Sequence, residues 1–577
     1  MALRVVFLAG SDSASTRASI AAVCRLEGVE PVAILLDTAR PSFSRRYKNL
    51  RRNMRRNGAS FIWHRALAAA SNMVGAAVEN IFPSKDTKRV LKRAFPEECF
   101  DFGDLASRYG LKIIEAGNLN SSFAAETLAS LHADLGIVLG TRVLRRGTFG
   151  LPKLGSINLH KGAVPQYRGM PPGFWELFNS ETAAGVTVHN VDDSLDTGAV
   201  IAQSQVAISP LDTPETLLNK LHAAGHRTLA EAVSKLRDGT TAPRAQAKGD
   251  HKAYTAPTRK QLAELRRRLP HWCPPSPMRE LLKNVWILAI YYSGVFALAR
   301  FYHRIRDNRG AVILYHRVND LASPQDALTT NRERFAGHLL MLARWYKLIG
   351  TRNLVRSLRE GSSLPATSVA VHFDDCYRDV YQNACPIMKS CGVTGTAFVS
   401  SGFVDTDLVF AHDRQKSPFH FENLTARELT YMLEGGFEIG AHTVNHVDLG
   451  SIPIPQAEFE IAESVRALTR ITGNPITHFS FPFGREANIR EELRGAVRNA
   501  GCDCIFSAYG GFVGPATDLY DIPRFGTSSM HSPLALALEL EGLTLRAISG
   551  WLRGRPKVQA RRSKRVAGEV PAAAGGR

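Results

Sequence analysis

Residues 3–37 read LRVVFLAGSDSASTRASIAAVCRLEGVEPVAILLD. Two short apolar runs, 3–9 (LRVVFLA) and 31–37 (PVAILLD), flank a segment of helix length. This is the rhythm of strand, helix and parallel strand, so the chain opens an α/β sheet. The pattern then breaks. Residues 41–60 carry RRYKNLRRNMRRNG, and with an apolar continuation to about residue 95 they predict a basic helical insertion between strands. A solvated helical face and a docking patch for a phosphate-bearing substrate or a membrane both fit that charge. Strand and helix signals return at 111–117 (LKIIEAG), 122–132 and 134–139 (DLGIVL). No GxGxxG fingerprint follows the first strand, so no dinucleotide cofactor is expected.

A chain of 577 residues is too long for one hydrophobic core, and at roughly 100 to 200 residues per domain it predicts two to four domains. Lysine and arginine total 72 against 53 acidic residues, and the net charge of +19 favours anionic partners. The eight cysteines show no CxxC spacing and are read as buried or free thiols, which favours a reducing compartment. The N-terminus, MALRVVFLAGSD, lacks a charged region followed by an apolar core and cleavage site, so no secretory signal is expected and the chain is placed in the cytoplasm. Residues 240–280, which include PPSP, read as a linker. Within 241–309, residues 285–299 (VWILAIYYSGVFALA) form an uncharged apolar run followed by Arg300, His303, Arg304 and Arg306. A bilayer span needs roughly 20 such residues, so a packing helix or an interfacial helix at the inner face of an anionic membrane is preferred to a span. A second domain is expected from the strand GAVILYH at 310 to about 552, and a basic disordered tail from 553 to 577.

Residues 156–201 read SINLHKGAVPQYRGMPPGFWELFNSETAAGVTVHNVDDSLDTGAVI. Asn158 and His160 stand two residues apart on one strand, so their side chains share a face. An amide donor, an imidazole base and a carboxylate, Asp196, together suit acyl transfer to an amine. The tetrahedral oxyanion needs a donor, and the ammonium proton needs a base. The Asn-x-His, the Val164–Gly169 loop and the Asp-Thr-Gly at 196–198 resemble the folate-dependent formyltransferases, from residue 1 to about 235. The resemblance implies a Rossmann-like sheet and 10-formyltetrahydrofolate as donor, held near Leu139, Gly140 and Thr141 and the stretch before Asp196. No second barrel of the kind used to grip tRNA is evident after residue 235. This lowers nucleic acid as acceptor and raises a small amine.

The second cluster is VAVHFDDCY at 369–377 and EIGAHTVNHV at 438–447, with FSFPFG at 479–484. One aspartate and two histidines make the facial ligand set of a hydrolytic metal centre, and a second aspartate can serve as base. These motifs resemble the polysaccharide deacetylases of carbohydrate esterase family four, including the chitooligosaccharide deacetylases, over about 310–530. The resemblance implies a distorted (β/α) barrel with Asp374 as base, Asp375, His442 and His446 as ligands of a divalent ion such as zinc, and His316 nearby. Cys376 and Ser480 depart from residues common in relatives, where a glycine and an arginine stand. Arg524, in DIPRFG, is expected to supply the missing charge beside Asp374, and His531 is the one nearby candidate for a late acid. Together the halves predict an enzyme that removes and adds N-acyl groups on an amino sugar carried as a nucleotide, an oligosaccharide or a lipid conjugate. The alternatives are a formyltransferase for tRNA or another amine with a degenerate deacetylase-like binding domain, and a membrane adaptor with inactive sites.

Overall fold

A computed structural model describes residues 2–40, 42–58, 60–82, 84–247, 253–306, 309–321 and 326–544; the basic tail expected from 553 lies outside them. The first sheet has seven strands: β1 (Leu3–Ala9), β2 (Val29–Asp37), β3 (Lys112–Gly117), β4 (Leu135–Leu139), β5 (Ser156–His160), β6 (Ala183–Asn190) and β7 (Val200–Ala207). Their spatial order is 3-2-1-4-5-6-7. Pairing is parallel through β5, and β6 and β7 then run antiparallel. The expected Rossmann-like sheet is present, with this antiparallel edge added. Every residue of β4 is buried, as both faces of such a sheet require.

Because β1 lies between β2 and β4, the chain reverses direction of travel across the sheet there, and the crevice at the strand C-termini opens at that reversal. Gly10, just past β1, meets Gly140, just past β4, so closely that an added Cβ would stand 2.0 Å from the Gly140 carbonyl oxygen. Gly140 itself has φ of +63°. Glycine at both positions lets the backbones close the crevice floor.

The basic insertion forms three helices after α1 (Ala14–Cys24), namely α2 (Phe43–Asn57), α3 (Ser60–Glu79) and α4 (Ser84–Ala94). Although it interrupts the first sheet in sequence, its apolar residues Val78, Val90 and Leu91 join the core of the second half. The segment expected as a linker makes ordered contacts with the first sheet. Arg244 bridges Val200, Tyr254 bridges Gly169, and Trp272 is buried and donates to Glu215. A capped helix, Arg259–Arg268, lies between Tyr254 and Trp272.

The apolar run 285–299 is shared by two helices, Pro277–Tyr292 and Val295–Arg306, which break at Gly294 with φ of +82°. The bend is 62°, and among the described residues no single helix is long and apolar enough to cross a membrane. Ile287 and Phe296 anchor the pair in the core of the second half.

The second sheet comprises β8 (Gly310–Tyr315), β11 (Lys347–Leu348), β12 (Ser368–Phe373), β13 (Thr396–Val399), β14 (Glu438–Ala441), β15 (His478–Ser480), β16 (Cys504–Phe506) and β17 (Phe525–Gly526); the short pair β9 (Arg317–Val318) and β10 (Thr329–Thr330) stands apart. All its pairings are parallel, in the order 16-15-14-13-12-8-17, and β11 pairs with β12. The sheet curls into a half-barrel. Its edges approach through a single parallel bridge, Phe506 to Ile522. The strand C-termini, where loops are free to carry chemistry, gather on one rim.

Candidate active sites

At the C-terminal end of β5, Asn158 and Asp196 come together as the sequence indicates: the Asn158 amide donates to Asp196 Oδ1 at 3.3 Å. His160 Nδ1 lies 3.5 Å from Asp196 Oδ2. A fourth member was missed in the sequence. His189 sits directly opposite Asn158 on the antiparallel neighbour β6, its Nε2 lies 3.3 Å from the Asn158 amide nitrogen, and it is 3.5 Å from Asp196. Its signal was present in VTVHN, but the face of that strand is decided only by the pairing with β5.

Asp196 therefore organises the cluster, and the Gly169 amide also donates to it. Burial alone would raise its carboxyl, but His189, His160 and that amide hold it below the ordinary carboxylate range. Its φ of +55° is unusual for a residue other than glycine and marks a backbone held by its surroundings. Burial lowers His160 despite the neighbouring Asp196, so the imidazole is neutral near pH 7. Its Nε2 donates to the Tyr167 carbonyl at 2.7 Å, fixing the tautomer with the Nδ1 lone pair toward Asp196. Leu139, Gly140 and Thr141 begin one residue past Val138, the β4 partner of Asn158. They lie beside the cluster across the same strand ends.

On the rim of the second sheet, Asp374 and Asp375 follow β12, His442 and His446 follow β14, His316 follows β8, and Arg524 precedes β17. The structure brings all six to one cavity region: Asp374, Asp375, His316, His442 and His446 line a hollow of about 570 Å³, and Arg524 lies directly beneath Asp374. Arg524 is fully buried and grips both oxygens of Asp374 at 2.7 Å, while donating also to Ser480 Oγ and to the Ser507 carbonyl. Thus the hydroxyl at Ser480 leaves room for an arginine that arrives from a different strand. Burial works to raise Asp374, but Arg524 and His442 hold it below the usual range.

Asp375, His442 and His446 each present one ligand atom, and these atoms lie within 4.8 Å of one another. Both carboxylate oxygens of Asp375 are buried without a hydrogen bond. His446 Nε2 approaches Oδ1 to 3.0 Å. A buried, unsatisfied carboxylate facing two imidazoles is costly unless a cation completes it, so the residues present fit a divalent metal. His442 donates Nδ1–H to the Ser480 carbonyl at 2.8 Å, which turns Nε2 toward the cluster. Asp375, Thr443, His446 and Phe483 all have positive φ, a concentration of strained backbone around the same point. His412 was not singled out in the sequence; it stands 3.8 Å from Asp375 and accepts or donates to the Tyr377 hydroxyl at 2.8 Å. It lies in the short helix Ala411–Lys416, which carries no motif to reveal it. Cys376 is buried beneath the pair, and His531 lines the same cavity.

Two family models match the chain: formyl transferase over residues 57–233 and polysaccharide deacetylase over residues 361–505. Among curated proteins, the methionyl-tRNA formyltransferase of Parabacteroides distasonis is 38% identical over 132 residues, 23% of this chain and 41% of that protein. That of Agathobacter rectalis is 28% identical over 176 residues, 30% of this chain and 55% of that protein. The chain spans about half the length of the curated relatives it matches. Among solved structures, the Streptococcus pyogenes deacetylase PplD in complex with acetate is 23% identical, covering 40% of this chain and 96% of its own, with a TM-score of 0.34. The N-formyltransferase from Helicobacter canadensis, in complex with folinic acid and dTDP-3-aminofucose, is 14% identical, covering 45% and 72%, with a TM-score of 0.28. The chain therefore joins a formyl transferase family domain in its N-terminal half to a polysaccharide deacetylase family domain in its C-terminal half.

Proposed function

We propose that the chain is a bifunctional enzyme that remodels N-acyl groups on an amino sugar, hydrolysing one at the rim of the half-barrel and adding formyl at the end of β5. The observation that carries the hydrolytic half is the Asp375 carboxylate, buried, without a hydrogen bond and facing His442 and His446, beside an aspartate clamped by Arg524. Asp375, His442 and His446 would hold a divalent ion, with zinc suited to this carboxylate and imidazole set. Such an ion supplies polarisation of the amide carbonyl and acidification of the attacking water. Asp374, kept ionised by Arg524, accepts a proton from that water as its oxygen adds to the carbonyl carbon. The carbon–nitrogen bond then breaks and the amine leaves with a proton, for which the cavity offers His316, His412 and His531 outside the ligand set. Lys416 and Arg485 line the same cavity and suit an anionic sugar conjugate.

In the formyl-transfer half, 10-formyltetrahydrofolate is the donor substrate, and the crevice by Leu139, Gly140 and Thr141 receives it. The amine attacks the formyl carbon, the Asn158 amide stabilises the oxyanion, and His160 takes the ammonium proton with Asp196 stabilising the imidazolium. Asn158 spends its contacts on Asp196 and His189 at 3.3 Å each, long hydrogen bonds that cost little to exchange for an oxyanion. Folate chemistry and the free thiols favour the cytoplasmic side for both reactions. Its coverage by methionyl-tRNA formyltransferases favours one other reading, in which aminoacyl-tRNA is the acceptor.

Incubating the purified chain with free, nucleotide-linked and lipid-linked N-acetyl and N-formyl amino sugars, and separately with the corresponding amines or methionyl-tRNA plus the folate donor, tests both halves by mass spectrometry. Loss of acetyl or formyl mass from a sugar, and gain of formyl on a sugar amine, are expected. No deacylation by metal-loaded protein refutes the hydrolytic half, and formylation of tRNA alone selects the second reading.

A further inference from the structure

One exposed apolar surface takes no part in either cluster. On α3 the exposed positions Ile62, Ala66, Ala69, Met73 and Ala76 recur at three- and four-residue spacing and carry no charge. They fall on the side opposite Ser71 and Val78, which are buried. The helix Pro277–Tyr292 repeats the arrangement: Met278, Leu282, Val285, Ala289 and Tyr292 are exposed, opposite buried Ile287. After the bend, Val295, Leu298, Tyr302 and Ile305 continue the stripe. The two helices pack on each other, and both touch the helix Pro533–Leu540. Their bare faces thus belong to one layer on the outside of the second half. Trp63 is 79% exposed, Tyr292 73% and Leu298 68%, values that no isolated soluble surface requires.

The rim of this layer is cationic. On α2, Phe43 and Tyr47 are exposed together with Arg46, Lys48, Arg51, Arg52, Arg55 and Arg56, and α2 contains no acidic residue. Arginine-rich polar flank, aromatic residues and an uncharged helical face are the composition of a helix that lies in a membrane interface. A second copy of the chain is the less suitable occupant, because a two-fold contact would set this cationic rim against itself.

We propose that α2, α3 and the helices spanning 277–306 form a single surface that docks on an anionic lipid bilayer without crossing it. The surface borders the hydrolytic cavity: Lys283 donates to the Met530 carbonyl at 2.9 Å, and Met530 and His531 line that cavity. A lipid-linked amino sugar would then reach the cavity from the membrane, a consequence that rests on the hydrolytic reading above, whereas docking itself does not.

The test is flotation of the full chain with vesicles of equal parts phosphatidylcholine and phosphatidylglycerol, against phosphatidylcholine alone. Binding to the anionic vesicles at low salt, weakened at high salt, is expected. Leu282→Glu with Leu298→Glu should abolish it, and Arg51→Glu with Arg55→Glu should lower the partition coefficient at least about tenfold. All four side chains are exposed, so circular dichroism and melting should match the wild type. The proposal is overturned if the wild type does not float at low salt, if both variants float as the wild type does, or if the apolar face instead pairs two chains that fail to bind vesicles. None of these readouts requires either enzymatic activity, so they separate this inference from the proposed chemistry.

Discussion

Replacing Arg524 with methionine tests how the half-barrel holds Asp374. The guanidinium is fully buried and makes four contacts of 2.7 Å: two with Asp374, one with Ser480 and one with the Ser507 carbonyl. Methionine fills comparable volume but leaves a buried carboxylate with only the long Ser480 hydroxyl contact and a buried carbonyl without its donor. Removing one member of such a pair costs about 3 to 5 kcal/mol, much more than an exposed ion pair contributes. The cost should be local, so hydrogen exchange followed by mass spectrometry is the appropriate assay. Peptides covering β8, β12 and β17 should exchange about 10² to 10⁴ times faster, while those covering β1 and β4 serve as an internal control. Asp374→Asn in the same chain should recover part of the loss, because the neutral amide no longer strands a charge. Arg524→Lys should recover little, since an ammonium cannot grip both oxygens in parallel. Unchanged exchange in β12, or full rescue by lysine, refutes the claim that the bidentate pair holds this rim.

Elemental analysis should find near-stoichiometric divalent metal in the wild type and much less in a His442→Ala/His446→Ala protein; equal content refutes the ligand set. Asn158→Ala should slow formyl transfer by about 10² to 10³, as loss of an oxyanion donor does, and full activity would sink that assignment. His189→Ala should also lower transfer, through the loosened Asn158 and Asp196, and an unchanged rate would make His189 a bystander. Burial pushes Glu176 up to about 7, so its ionised form is disfavoured in the folded state. Its contribution to stability is full below its unfolded value near 4.5 and is lost as pH rises to about 7. Glu176→Gln should therefore stabilise the chain above pH 7 by about 1 to 3 kcal/mol in urea denaturation and flatten that pH dependence. A variant no more stable at pH 8 refutes it.

Much of this protein could be read directly from its residues. Apolar runs at strand spacing mark β1, β2 and β4, because strands buried on both faces need nearly continuous apolar side chains. The clustering of Asn158, His160 and Asp196, and of Asp375, His442 and His446, was legible because the chemistry proposed for them restricts residue type and local spacing together. Tertiary structure decided what depends on contacts between distant segments. His189 joins Asn158 only because β6 runs antiparallel beside β5, and Arg524 reaches Asp374 across 150 positions of sequence. The basic insertion has the composition of a solvated face, yet Val78, Val90 and Leu91 belong to the second half's core. Composition records that a helix has an apolar side; it does not record which partner covers it. The same reason separates the buried Ile287 from the exposed Leu282 and Val285 on one helix, and so only the folded chain reveals a bare apolar layer beside the cavity.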